Sequence, residues 1–226
     1  MNTFMNTEKA RFNMIEQQIR PWNVLDADVL ALLSEIKRED FVPAGLRTLA
    51  FTDTELPLKR GEDAPVMLAP RVQARIVQDV AAQPQDKVLL VGAGSGYLAA
   101  LLAKRAKQVI ALEIDAELAA LARSNLQKAG ITNVQVQQAD GSQGAPAETP
   151  FNVIVLAGSV AEVPAALLAQ LATGGRLFAI VGEPNAPTMR ATLITRAEDQ
   201  TYQSNQGWDT VAPRLRNFPE SARFSF

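Results

Sequence analysis

Neither cysteine nor histidine occurs anywhere in the 226 residues. The missing thiols exclude a disulfide framework, thiolate zinc sites and a cysteine nucleophile, and they fit a reducing compartment. The missing imidazoles remove the commonest metal ligand and the commonest general base, which excludes metallohydrolase and Ser-His-Asp chemistries. No metal site is expected. Nor is charge of one sign in excess: 22 Lys and Arg stand against 24 Asp and Glu, a net charge of -2 with both signs interspersed. That surface has no electrostatic footprint for nucleic acid, so none is expected as a partner. Long apolar runs are also missing. The most apolar stretch, 153–175, is broken by Glu162, Pro164 and the pair Gly174-Gly175, and it reads as strand, loop, helix and turn, with no membrane span. The first thirteen residues are polar and lack the apolar centre of a signal peptide, so a cytoplasmic setting is expected. Met-Asn-Thr occurs at both Met1 and Met5, which leaves two equivalent starts.

What remains is an ordinary globular composition, 47% hydrophobic and 20% charged. Its length suits one well-buried domain over 1–226, with N-terminal helices and a substrate-side loop in 1–82 and an α/β core with C-terminal strands in 83–226. Phe12, Ile15 and Ile19 recur at helical spacing and predict an amphipathic helix from Glu8 to about Arg20, ended by Pro21. Asp26 predicts the cap of a second helix whose Val29, Leu30, Leu32, Leu33 and Ile36 face a core. Between Phe41 and Pro70 the prolines and weak periodicity predict an irregular connection with at most one short helix, and a connection that long is often functional. A helix follows from Pro70 to about Ala82.

From Lys87 onward, apolar strands alternate with helices. Strands are expected at 88–91, 109–112, 134–137, 153–156 and 176–181, with helices after the first two and over 164–171. Nearly continuous apolar strands in such an order predict a doubly wound, mostly parallel sheet with helices on both faces. Two further segments, 189–196 and 201–208, predict an antiparallel pair around Asp199, and the tail 213–226 is expected to pack on the sheet or form its edge.

The first strand runs into Gly92-Ala93-Gly94-Ser95-Gly96 and then a helix, the placement a nucleotide-type cofactor requires of a glycine loop. Dinucleotide loops need another small residue where Tyr97 stands, which argues against NAD. S-adenosylmethionine (AdoMet) has no phosphate to neutralise, and such a loop lets backbone approach its methionyl part closely. Glu113, 21 residues past Gly92 at the end of the second strand, is placed to accept from ribose hydroxyls, and Ile114 follows it. After the third strand, Asp140-Gly141 is placed to accept from an adenine amine and to line the ring, and Ala157 and Gly158 line the pocket after the fourth. Three elements in order at successive strand ends define an AdoMet site of the class I, Rossmann-like methyltransferase type.

The chain also resembles the protein-L-isoaspartate O-methyltransferase family in Met14-Ile-Glu-Gln-Gln-Ile19, Arg38-Glu-Asp-Phe-Val-Pro43, 88–97, Asp140-Gly-Ser-Gln-Gly144, Val163-Pro164 with Gln170-Leu171, and Gly174-Gly-Arg-Leu177. That resemblance implies AdoMet-dependent methylation of the α-carboxylate of isoaspartyl residues in damaged proteins or peptides. A carboxylate is already ionised at neutral pH, so a chain without histidine can serve this reaction by positioning. Two positions depart from the family. On the substrate side, Leu68-Ala69-Pro70 has leucine where the family carries an active-site serine, in a loop lengthened around Glu62-Asp63-Ala64-Pro65, and Leu90 stands where the family has glutamate. No catalytic residue is assigned. Two alternatives stay open at this point, a different methyl acceptor and a non-catalytic AdoMet-binding protein.

Overall fold

In the computed structural model, residues 2–62, 64–184, 186–198 and 201–220 are described. The chain enters through the helix Asn2–Met14 (α1), which continues as a π-helical turn over Ile15–Ile19 and a 3-10 turn over Arg20–Trp22. Ile15 and Ile19 are buried as their spacing predicts, but Phe12 is 63% exposed. Arg11 and Met14 take the inward positions, because Arg11 forms a buried ion pair with Glu39 that sets which face turns in. Pro21 does not end the helix. It sits at the start of the tightened turn, where no N–H is needed, and the chain turns away at Asn23 (φ 66). The second helix, Ala27–Glu35 (α2), begins as expected, with the Asp26 carboxylate accepting from the N–H groups of Asp28 and Val29.

The long connection holds a 3-10 segment, Ala44–Phe51, and a two-stranded antiparallel hairpin of Leu56–Pro57 (β1) and Val66–Met67 (β2). Pro70–Val80 (α3) follows, its proline at the first turn.

The main sheet is built from Lys87–Val91 (β3), Gln108–Glu113 (β4), Val134–Gln138 (β5), Phe151–Val160 (β6), Leu171–Val181 (β7), Met189–Arg196 (β8) and Tyr202–Thr210 (β9), in the order β5-β4-β3-β6-β7-β8-β9. The four pairings from β5 to β7 are parallel and the last two antiparallel. The turn expected at Asp199 falls outside the described residues, but the strands flanking it pair as predicted. β7 begins at Leu171, earlier than the periodicity suggests, and shortens the preceding helix to Ala165–Leu168 (α6).

Alternation along each strand separates two cores. Val88, Leu90, Val109, Ala111, Val153 and Val155 face the layer of α3, Tyr97–Ala103 (α4) and Ala116–Lys128 (α5). Leu89, Val91, Ile110, Leu112, Ile154 and Leu156 face the other side, which the short α6 and the tail residue Phe218 cover. Helices therefore lie on both faces, unequally, and the thinner face leaves room for the tail. The strand order reverses between β3 and β6, and the crevice beyond their carboxyl ends is where an open α/β sheet places its ligand.

Candidate active site

The glycine loop turns sharply because the N–H groups of Gly92 and Ala93 both donate to the Leu112 carbonyl, at 2.9 and 3.1 Å. Gly92 (φ +90), Gly94 (φ +54) and Gly96 (φ +89) occupy backbone conformations that side chains disfavour. Their surroundings differ. A Cβ on Gly92 would lie 3.3 Å from Leu215 and 3.5 Å from Ala157, and one on Gly94 would lie 3.3 Å from Leu58, all around one pocket. A Cβ on Gly96 would instead press on the Ala122 carbonyl at 3.2 Å, so this glycine lets α4 and α5 approach each other. Asn125 of α5 seals that contact by donating to the Ser95 carbonyl at 3.0 Å.

Carboxylates come to the same pocket from the next two strand ends. Buried Glu113 accepts from the Gly94 N–H at 2.8 Å and the Asp115 N–H at 3.1 Å, which fixes its orientation and leaves lone pairs for a ligand. Asp115 caps α5 and also takes the Lys59 ammonium at 2.6 Å, a bond that holds its carboxyl below the usual carboxylate range. Asp140 caps the 3-10 turn Gly141–Gln143. The Ser142 N–H, at 2.9 Å, is the main reason its carboxyl is held below the ordinary value. Gly141 must be a glycine, since its Cβ would come within 2.3 Å of Val91 Cγ1.

Two covers complete the pocket. The β1–β2 hairpin contributes Leu58, Ala64, Pro65, Val66 and, just beyond it, Leu68, and Lys59 pins it to Asp115 and Glu117. The tail is the second cover. It lies along the carboxyl end of β6, where the Ser159 N–H donates to the Pro213 carbonyl (2.8 Å) and the Leu215 N–H donates to the Ser159 carbonyl (2.9 Å). Arg214 fastens it further by donating to the Gly182 carbonyl and pairing with Glu220. Leu215 then packs on Gly92 and Gly158, and Asn217 donates to Asp140 at 2.7 Å.

Of the residues singled out from the sequence, Gly92, Gly94, Glu113, Ile114, Asp140, Gly141, Ala157 and Leu68 line this pocket together. Ala93, Ser95 and Gly96 lie behind it, Gly158 faces the tail, and Ala69 and Pro70 start α3. Sequence reasoning missed Leu58 and the tail residues Leu215, Arg216 and Phe218. No motif marks them. The signs were the unusual length of the 41–70 connection and the expected packing of the tail on the sheet.

Beneath Leu68 lies a buried polar cluster. Arg38, wholly inaccessible, donates to the carbonyls of Ala50 and Leu68 and to Gln73 Oε1, and so holds the segment leading into α3. Burial lowers its pKa to about 10, which leaves it cationic at neutral pH. Its guanidinium lies 5.7 Å from the centre of the Tyr97 ring, whose phenol burial pushes well above its ordinary pKa. Leu90 belongs to this core and does not reach the pocket.

Comparison with known proteins supports the same assignment. The model of the protein-L-isoaspartate(D-aspartate) O-methyltransferase family matches residues 9–211. Similar curated proteins include the protein-L-isoaspartate O-methyltransferases of Koribacter versatilis, 43% identical over 83% of this chain and 82% of that one, and of Methylorubrum populi, 36% identical over 93% and 97%. A solved protein-L-isoaspartate O-methyltransferase superposes with a TM-score of 0.76 at 25% identity, covering 92% of this chain and 65% of that longer one. A Plasmodium falciparum structure of the same description, in complex with S-adenosyl-L-homocysteine, shares the fold with a TM-score of 0.74 at 20% identity, over 92% of this chain and 97% of that one. The chain belongs to the protein-L-isoaspartate(D-aspartate) O-methyltransferase family.

Proposed function

We propose that this protein transfers a methyl group from AdoMet to the α-carboxylate of isoaspartyl residues in proteins and peptides, within the cytoplasm. The observation that carries the cofactor half is the convergence of Gly92, Gly94, Glu113 and Asp140 on one crevice at the strand-order reversal. The residues fit the molecule. Gly92 and Gly94 present bare backbone to the pocket, which a methionyl chain can approach closely, Glu113 keeps lone pairs for ribose hydroxyls, and Asp140 presents an acceptor to an adenine amine. Gly141, Ile114 and Ala157 supply apolar or backbone walls. When bound, AdoMet supplies an electrophilic methyl on a sulfonium.

The chain's own contribution is then positional. In the transfer, the sulfur–methyl bond breaks as a carboxylate oxygen bonds to the methyl, the bonding pair returns to sulfur, and no proton moves. A general base is unnecessary, which is consistent with a pocket lined by no histidine. The hairpin and the tail both contribute walls to the crevice in which the reacting atoms would meet. Family membership carries the acceptor half. Leu68 contributes no hydrogen bond there, so the acceptor must be held by other groups.

Calorimetric titration with AdoMet and S-adenosylhomocysteine tests the cofactor half. Saturable binding by both is expected, weakened about ten- to a hundredfold in Glu113→Ala. Absence of binding by either ligand at millimolar concentration would remove the basis of the proposal.

A further inference from the structure

An acceptor carboxylate entering this pocket meets an unfavourable wall. Glu113, Asp115 and Asp140 are all acidic, and the hairpin side, formed by Leu58, Pro65, Val66 and Leu68, offers no side-chain donor. Bringing another carboxylate out of water against like charges, with nothing to pair it, is unfavourable. A cation on the wall is needed.

The lining contains two, Arg214 and Arg216. Arg214 is committed elsewhere, to Glu220 at 3.0 Å and to the Gly182 carbonyl at 2.8 Å. Arg216 has no hydrogen bond or ion pair among the described residues. Its backbone is nonetheless fixed. Leu215 on one side is held by its N–H to the Ser159 carbonyl at 2.9 Å, and Phe218 on the other is buried in the core. An exposed arginine carried on a strapped backbone has its point of attachment set, and its planar fork can take both oxygens of a carboxylate.

Resting on the isoaspartyl reading above, we propose that Arg216 is the acceptor-binding residue of this enzyme, its guanidinium pairing with the substrate α-carboxylate in the place where Leu68 offers nothing. With both oxygens paired to the fork, each keeps a further lone pair, and one of these receives the methyl. The methionyl carboxylate of AdoMet has the same chemistry, so the test must separate the two.

With S-adenosylhomocysteine saturating, the affinity of an isoaspartyl peptide and of its neutral carboxamide twin is measured by calorimetry for the wild type, Arg216→Ala and Arg216→Lys. This reading does not depend on turnover. The wild type is expected to prefer the carboxylate roughly tenfold, the alanine variant to lose that preference, and the lysine variant to keep part of it. S-adenosylhomocysteine affinity should stay within about twofold in both variants. No preference in the wild type, preference intact in Arg216→Ala, or a tenfold loss of S-adenosylhomocysteine affinity instead, each overturns the assignment. Methyl transfer to the same peptide by the wild type reports on the underlying reaction independently: transfer with an unaltered preference in Arg216→Ala rejects the anchor and keeps the enzyme.

Discussion

The Asn217 side-chain amide donates to Asp140 Oδ2 at 2.7 Å, a bond between the tail and the turn after β5. An adenine amine would donate to the same carboxylate in the same sense. The tail therefore stands in one of the positions the cofactor is expected to use, and cofactor entry exchanges the Asn217 amide donor for the adenine amine. Asn217→Gly removes the competitor and suits the positive φ of this position (63°), so the tail backbone keeps its course. It should tighten S-adenosylhomocysteine by about fivefold, the equivalent of one hydrogen bond of ~1 kcal/mol. Calorimetric titration of the two proteins side by side measures this directly.

The pH dependence of cofactor binding follows from Asp140. Its folded pKa is depressed, chiefly by the Ser142 N–H, so the ionised form is fully present above the ordinary carboxylate value and is lost only as pH falls through the lower folded one. Affinity should be flat from neutrality down to about pH 5 and decline only in stronger acid. Asp140→Asn, whose amide does not titrate, should lack that acid decline. A loss of affinity already complete by about pH 6 would contradict the assignment.

Glu113 connects the second strand to the glycine loop through the Gly94 N–H at 2.8 Å. Glu113→Ala removes the ribose acceptor and also leaves that N–H without its partner. A loss of cofactor affinity of about ten- to a hundredfold is expected, or ~1.5–3 kcal/mol. Glu113→Gln keeps one acceptor oxygen and should lie between the two.

Much of this was legible in the sequence, for physical reasons that also explain what was not. Strands buried on both faces must be apolar, so 88–91, 109–112 and 153–156 declared themselves, and glycines at positive φ with acidic residues after successive strands marked the floor of the pocket. Phe12 misled because helical spacing does not reveal which face turns inward, and a buried Arg11–Glu39 pair decided that instead. Gly96 looked like its loop neighbours, yet its constraint comes from α5, a contact distant in sequence. The covers were legible only as segments, not as residues. Leu58, Leu215 and Arg216 sit in short or irregular segments with no periodicity, and only tertiary contacts bring them over the loop.

Arg38 offers a test of how the substrate side is held. Replacing it with alanine leaves Gln73 Oε1 and the carbonyls of Ala50 and Leu68 without their donor in a closed interior. Destabilisation of about 3–5 kcal/mol is expected, with a clear fall in the denaturation midpoint. Arg38→Lys should recover only part of it, because one ammonium cannot reproduce the three-way fork.

Gly141→Ala probes the floor itself. The added methyl would meet Val91 Cγ1 at 2.3 Å, so the turn carrying Asp140 has to move away from β3. A stability loss of about 1–3 kcal/mol is expected together with weakened cofactor binding. Thermal melts with and without S-adenosylhomocysteine report both effects, and an unchanged ligand-induced shift would show that the turn does not contact the cofactor.

The most direct test of the whole account is methyl transfer from AdoMet to a synthetic peptide containing one isoaspartyl residue, run against the same peptide with ordinary aspartate and followed by product mass. The account predicts a methyl ester on the isoaspartyl peptide alone, with equimolar S-adenosylhomocysteine. Undetectable transfer to the isoaspartyl peptide by protein shown to bind AdoMet, or equal transfer to both peptides, would contradict it.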